Sequence, residues 1–591
     1  MMRIKYHFYI GTILFIITIL NVSRCIAQNS KDTHDASILD VPKETPEIDN
    51  DNWWNESRFG LFINFDINNG ARVTTSTAEN RKKFIEQFNP NLFNADEWVR
   101  SAQEYGVKYI VVTARLNNGF CLYDSQYTDF NSNDIPIKRD FMQEVAQACR
   151  DRGMRFGWYY SLNDVTVPEI GVNHGDLFAS VVQEQVDELL TKYGPVDLMW
   201  FDGQDKPTWN IKRSTQLYNH IKSINPNTAI NICLNSQADK NAHLHGNDHQ
   251  NQDFTIYRNY TPQRGEEAGN WASLMKMNKP QVHATKSTPW KSTTNLLHEM
   301  IKAASRGGNY MLEIPIHSDG LIPNEMDERL HQIGNWLEHN GISYYNCKPS
   351  PFHHFKDGLC TADGTDPSRL YFYLFDWPTS TGVIRAPGLM NRIEAAWFLN
   401  RNAVAKLRTL SDRGGVMIRV GKKPIAPWCA VIVVDVKGKL DIIDLPVFQT
   451  PHSNIVALEA NDAYLEGTGL RLEDSENGSD LLISQISEKG ARWEIELRKG
   501  GEFNLQLNYA CSDDQAGSTF IIEIRNTHDG TIIATKSIEV VSTETANNFR
   551  LFDAGNIQLT DPGRYTIRLI AKDIKHDLLM TLRSIQLQPT F

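Results

Sequence analysis

The sequence predicts an α/β protein: a (β/α)8 TIM-like barrel, then a small antiparallel β domain, then a C-terminal β-sandwich. Three observations lead there. Eight β-rich runs alternate with amphipathic helical stretches between residues 59 and 316, which suits a closed parallel barrel of roughly 250 residues. No glycine-rich phosphate loop follows the first run, as an open doubly wound sheet, the structural alternative, would usually show. Beyond Gly341 the helical pattern gives way to short strands separated by turn residues.

The barrel strands are expected at residues 59–65, 109–115, 155–162, 197–203, 229–235, 254–260, 281–287 and 309–316. Amphipathic stretches at 95–105, 141–152, 178–193 and 214–224 lie between them; Trp98, Val99 and Ala102 share one helical face. The antiparallel domain is read from runs at 370–377, 383–387, 393–399, 416–420 and 430–436. Residues 441–453 look like a connector, and alternation at 493–497, 503–509, 520–524, 565–570 and 585–587 marks the sandwich. The expected organisation is 1–27 signal peptide, 28–50 disordered leader, 51–346 barrel, 347–440 antiparallel domain and 458–591 sandwich.

The N-terminal reading rests on a short positive region, Arg3 and Lys5, followed by a mostly apolar run at 10–22 that is short for a membrane span. Cys25-Ile26-Ala27 then offers a small-x-small cleavage pattern, so cleavage is expected after Ala27. A lipobox ending at Cys25 is the alternative, which Arg24 fits poorly. The protein is therefore expected to be exported, to the periplasm or outside the cell, with no later membrane span.

Composition narrows the class. With 591 residues the chain exceeds a single core. Its 60 basic and 71 acidic side chains give a net charge of -11, which argues against a nucleic-acid surface. The 8 cysteines lie far apart and show no C-x-x-C pair, so neither a zinc site nor a disulfide scaffold is expected. Cys347 and Cys360 are the pair that could join.

In a barrel of this kind the active site forms where the strands end and the following loops converge. The polar residues there are Asn64 and Asp66; Arg115, Asn117 and Asn118; Ser161, Asn163 and Asp164; Asp202; Asn235; Arg258; Lys286; and Glu313. Asp202 ends the apolar run Leu198-Met199-Trp200-Phe201. A carboxylate there is costly unless paired or functional, although an aspartate is equally suited to cap the next helix. Glycoside hydrolysis needs two carboxyl groups across the bond, and roughly 5–5.5 Å between them gives retention. Glu313 points into the same mouth as Asp202 if the barrel closes, or else pairs with a nearby cation. Glu266 and Glu267, in a glycine-flanked loop, are reserves, as are Asp66 and Asp164. His243, His245 and His249 cluster in a loop and are weak as a metal signature. Aromatic side chains such as Trp200 and Trp271 are available to stack on a sugar, though core packing is their commoner use.

Several motifs then combine. They include Phe59-Gly60-Leu61-Phe62-Ile63, Lys108-Tyr109-Ile110-Val111-Val112-Thr113-Ala114 and Gly119-Phe120-Cys121-Leu122-Tyr123-Asp124-Ser125. Tyr127-Thr128-Asp129-Phe130-Asn131, Arg155-Phe156-Gly157-Trp158-Tyr159-Tyr160-Ser161, Tyr193-Gly194-Pro195-Val196-Asp197 and Trp200-Phe201-Asp202-Gly203 follow. Gly307-Gly308-Asn309 and Asp319-Gly320-Leu321-Ile322-Pro323 close the set. Together they resemble the alpha-L-fucosidases of glycoside hydrolase family 29, from about Trp53 to near Gly438. The resemblance implies a cofactor-free and metal-free retaining exo-mechanism through a covalent glycosyl-aspartate, with Asp202 at the nucleophile's position and a glycan as substrate. Asn64, Asp66, Arg115, Asn117, Asn118, Tyr159, Trp200, Arg258 and Trp271 are the expected substrate-binding set.

The sequence also departs from the family. Where the family's first strand ends in His-Trp-Gly, Asn64-Phe65-Asp66 stands here. Where the second ends in Lys-His-His-Asp, this chain has Arg115-Leu116-Asn117-Asn118. The family's Trp-Glu is Trp271-Ala272, and its Asn-Ile-Gly-Pro is Glu313-Ile314-Pro315-Ile316. A site built to pair particular hydroxyls discriminates strongly, so these exchanges should alter sugar recognition. Two readings follow: an exo-glycosidase acting on L-fucose or a related L-sugar, with Glu313 as acid/base, or a non-catalytic glycan-binding protein on the same scaffold. The C-terminal domain resembles carbohydrate-binding sandwiches only weakly.

Overall fold

The computed structural model describes residues 53–65, 77–163, 175–203, 209–231, 252–262, 269–278, 290–353, 355–399, 405–467, 469–475 and 478–590. Eight parallel strands build the barrel: β1 (Phe59–Asn64), β2 (Tyr109–Arg115), β3 (Arg155–Ser161), β4 (Leu198–Asp202), β5 (Ala229–Asn231), β6 (Phe254–Arg258), β7 (Asn270–Lys276) and β8 (Asn309–Pro315). Their order is β5-β4-β3-β2-β1-β8-β7-β6. Three hydrogen bonds bridge the remaining seam between β5 and β6. Asp253 N donates to Ile230 O at 2.7 Å, Ile230 N to Asp253 Oδ2 at 2.8 Å, and Asn231 Nδ2 to Phe254 O at 2.8 Å. The expected fold class is the observed one, with one strand relocated. The seventh strand is Asn270–Lys276, whereas residues 281–287 lie outside the described residues.

The helices around the barrel are α1 (Trp53–Ser57), α2 (Ala78–Gln87), α3 (Ala95–Glu104), α4 (Phe141–Arg152), α5 (Gly175–Thr191), α6 (Ile211–Ile224), α7 (Thr293–Ser305) and α8 (Asn324–Tyr344). Local chemistry sets their ends. Asp140 caps α4 by accepting from Gln143 N at 2.9 Å, and Gly153, at φ 65°, ends it in the left-handed region that favours glycine. None of the described helices is long and apolar enough to cross a membrane.

Barrel strands covered on both faces read as continuous apolar runs, and the pleat decides which side chains turn inward. Phe62, Tyr109, Val111, Leu198, Trp200, Phe254, Ala272, Leu274 and Met311 form the interior. Small residues make room for large ones: a Cβ at Gly60 would meet the Tyr109 ring at 2.2 Å, and one at Gly157 would meet Leu198 O at 2.4 Å. Helix α1 plugs the N-terminal end, with Trp54 4.3 Å from Phe254 and Trp53 5.7 Å from Tyr109, centroid to centroid.

After α8 come a four-stranded and a three-stranded sheet, packed around Leu370, Phe372, Ile384, Val416, Ile432 and Val434. Two six-stranded sheets then enclose Trp493, Leu507, Ile522, Ile567 and Leu587. Within the expected connector, Val447–Phe448 pairs parallel with strand Gly490–Leu497, so this segment is part of the sandwich. The His353 ring stacks on Tyr464 at 3.9 Å, and Lys356 reaches Asp462 at 3.2 Å, which ties the middle domain to the sandwich. Cys347 and Cys360 are both free and buried. They do not pair because Cys347 belongs to the barrel's helical layer and Cys360 to the separate core of the middle domain.

Candidate active site

Alternation along the strands assembles the top layer of the barrel. Leu198 and Trp200 face inward on β4, so Asp202 does too. By the same rule Asn64 follows Phe62 on β1, Arg258 follows Phe254 and Ile256 on β6, Lys276 follows Ala272 and Leu274 on β7, and Glu313 follows Met311 on β8. Five polar side chains from five strands therefore cap an apolar interior. Two are cations, two are carboxylates and one is an amide.

Their bonds are unequal. The Asp202 side chain is 39% exposed, and its Oδ2 accepts from Tyr159 OH at 2.8 Å and from Arg258 Nη2 at 2.7 Å. No hydrogen bond reaches Oδ1 among the described residues. Trp200 forms the floor, with ring centroids 4.8 Å from Phe62 and 4.8 Å from Tyr159 and the Arg258 guanidinium 5.0 Å above it. Burial, and after it the charge of Asp202, pushes the Tyr159 phenol far above its ordinary value; Arg258 opposes and Glu313 adds to the rise. Tyr159 thus remains a donor throughout the working pH range. Glu313 is buried and accepts from Asn64 Nδ2 at 3.0 Å. Its effect on Tyr159 puts both carboxylates within electrostatic reach of one phenol.

Two expected sugar contacts point elsewhere. The pairing of β2 with β3 shifts register between Thr113 and Arg115, which breaks the alternation and turns Arg115 outward. Buried there, it donates to Ser161 O at 2.6 Å and lies 5.3 Å from the Tyr160 ring and 5.8 Å from Phe178 of α5. It holds the exit of β3 rather than facing the mouth. Trp271 occupies an outward position on β7 and is 2% exposed; a Cβ on Gly308 would meet its ring at 2.3 Å. It is a packing residue between barrel and helices.

Asn118 is buried and accepts from Phe120 N at 3.0 Å, which shapes its own turn, while Asn117 is exposed. Trp200 lies under Arg258 instead of offering an open face. Asp66, Asp164, Asn235, Glu266, Glu267, Lys286, His243, His245 and His249 lie outside the described residues. Lys276 is absent from the expected set because that set places the seventh strand at 281–287, past its observed end at Lys276. The inward alternation of Ala272, Leu274 and Lys276 was the signal that could have found it. A cleft of about 950 Å³ beside α7, lined by His298, Lys302, Phe375 and Trp377 among others, includes none of the strand-end residues.

The model of the alpha-L-fucosidase family matches residues 26–342, more than half of the chain. The chain belongs to the alpha-L-fucosidase family. Among its relatives, the alpha-L-fucosidase of Dictyostelium discoideum is 24% identical over 392 residues, which span 59% of this chain and 82% of that one. The tissue alpha-L-fucosidase of Mus musculus is 26% identical over 367 residues, 56% of this chain and 79% of that one. Two solved fucosidase structures are similar in fold. That from Vibrio sp. strain EJY3 has a TM-score of 0.67 at 21% identity and covers 91% of this chain and 98% of its own. One from Bacteroides thetaiotaomicron has a TM-score of 0.57 at 25% identity, covering 65% and 94%. At 91% of the chain the Vibrio likeness extends past the barrel into the β domains, whereas the other covers 65%. Membership in this family of glycoside hydrolases accords with a carboxylate-lined barrel mouth.

Proposed function

We propose that this fucosidase-family protein is a retaining exo-glycosidase that releases terminal α-L-fucose or a related L-sugar from glycans. One observation carries the reading: Asp202 has one oxygen held by Tyr159 and Arg258 and, among the described residues, no bond to the other at the barrel mouth. A nucleophile needs that asymmetry, because a fixed carboxylate with a free lone pair attacks without first shedding partners.

In the first step Asp202 Oδ1 bonds to the anomeric carbon as the bond to the aglycone oxygen breaks. Glu313 gives that oxygen its proton. In the second step Glu313 takes a proton from water, the water oxygen attacks the anomeric carbon, and Asp202 leaves as carboxylate. Arg258 and Tyr159 hold the carboxylate's position in both. Glu266 and Glu267 are the alternative acid/base residues. The N-terminal segment supports export, with hydrolysis in the periplasm or outside the cell. The exchanged residues at the ends of β1 and β2 also motivate a second reading, a glycan-binding protein without turnover.

Activated aryl α-L-fucosides and α-L-galactosides decide between them. The expected result is hydrolysis by the wild type, loss in Asp202→Gly with a β-glycosyl azide formed on adding azide, and an α-glycosyl azide from Glu313→Ala. Undiminished hydrolysis by Asp202→Gly would overturn the nucleophile. Saturable sugar binding with no turnover of any glycoside would establish the second reading.

A further inference from the structure

We infer that Lys276 is an anion-recognition group of this site and that the preferred sugar carries an anionic substituent, a sulfate ester or a carboxylate. The inference rests on the glycosidase reading above for the position of the sugar. Four features of the mouth support it.

Lys276 ends β7 on the inward face, two residues beyond Leu274 and four beyond Ala272, both of which line the interior. It is the register neighbour of Glu313 on β8, so it stands beside the second carboxylate. It is half-buried. Finally, among the described residues it makes no hydrogen bond and no ion pair, not even with Glu313, whereas Arg258 is paired with Asp202 and Glu313 with Asn64. A partly desolvated ammonium without a partner is unfavourable in the free protein. Such a group is well used when a ligand supplies the missing charge.

The charge balance of the reaction points the same way. With Glu313 protonated to act as acid, the described strand-end residues of the mouth set Arg258 and Lys276 against Asp202. Once Asp202 becomes an ester, Glu313 has given up its proton and is the single carboxylate of this set, so the same excess of one positive charge faces the sugar in both steps. A neutral sugar leaves that excess uncompensated, and an anionic group on the ring cancels part of it in a site of low dielectric. A sulfate ester and a carboxylate share the chemistry that a lysine recognises: compact, delocalised oxyanions that accept several N–H bonds.

The test compares the full-length protein on five substrates: 4-nitrophenyl α-L-fucoside, its 2-, 3- and 4-O-sulfates, and 4-nitrophenyl α-L-galacturonide. The sulfates and the uronide separate the two sources of anion. At least one anionic glycoside is expected to exceed the neutral one by about tenfold or more in kcat/KM, the scale of one charged hydrogen bond. Lys276→Gln should bring that ratio close to one, Lys276→Arg should retain most of it, and added salt should lower it in the wild type. A neutral fucoside cleaved as well as every anionic one, with a ratio unmoved in Lys276→Gln, would overturn the inference and leave the glycosidase reading standing. A pH profile shifted equally for all five substrates would also overturn it, since Lys276 would then act only through Glu313. If the wild type cleaves none of them, calorimetric binding decides. Lys276-dependent binding of an anionic glycoside sustains the inference and ends the glycosidase reading, while equal or absent binding ends both.

Discussion

Tyr159 and Asp202 stand one layer apart on neighbouring strands. Tyr159 pairs in register with Trp200, and its phenol reaches up to Asp202 Oδ2 at 2.8 Å. Burial, followed by the Asp202 charge, holds that phenol protonated well beyond its ordinary range. Tyr159→Phe is therefore expected to lower kcat by about tenfold through loss of one charged hydrogen bond, while the alkaline limb of the pH profile stays in place. An alkaline limb that moves in Tyr159→Phe would show that the phenol titrates in the working range.

Arg258 orients the same carboxylate from β6 and covers Trp200. Its replacement by Met should cut kcat by about a hundredfold, the cost typical of a misplaced or unstabilised reacting group. Lys should rescue only part of the loss, because it cannot both pair with Asp202 and lie flat over an indole. Steady-state kinetics of the two variants, with unchanged thermal midpoints, check this. Equal activity in wild type and Arg258→Met would remove Arg258 from the machinery.

Arg58 closes the N-terminal end of the barrel. It is buried, with Nη1 donating to Gly307 O at 2.6 Å and Nη2 to Cys347 O at 2.6 Å. Arg58→Met leaves those carbonyls without donors and should destabilise the barrel by about 3 kcal/mol. Denaturant unfolding followed by tryptophan fluorescence measures it; a change below about 0.5 kcal/mol, the scale of an ordinary surface substitution, would contradict the assignment.

Asp363 in the middle domain links acidity to stability. Burial raises its pKa, but bonds from Tyr371 OH, Asp366 N, Thr365 N and Thr365 Oγ1 outweigh that, and the net shift is downward from 3.8. A depressed carboxylate contributes stability above its unfolded value and loses that contribution as pH falls through the folded one. Asp363→Asn should lower Tm at neutral pH, and the gap to wild type should narrow below about pH 3.8, the ordinary value. A gap that is the same at pH 7 and pH 3 would show that the charge contributes nothing.

Much of the barrel was legible because its signals are local. The apolar run from Leu198 to Phe201 needs burial on both faces, and Asp140 and Gly153 begin and end α4 by short-range bonding. The inward direction of Asp202 and Glu313 follows from two-residue alternation. The misplaced seventh strand shows the limit of such reading: Asn270–Lys276 earned its place by pairing with β6 and β8, a long-range choice that no window of sequence contains.

The sequence by itself determined the family, the barrel and the position of Asp202 at a strand end. Its period and its motifs are properties of neighbouring residues. Only the tertiary structure decided that Arg115 turns outward at a bulge, that Trp271 packs against Gly308, and that, among the described residues, Asp202 keeps one oxygen open and Lys276 stands unpaired beside Glu313. Those outcomes depend on strand register and on which side chains meet across the barrel, and register is set by the closure of all eight strands together.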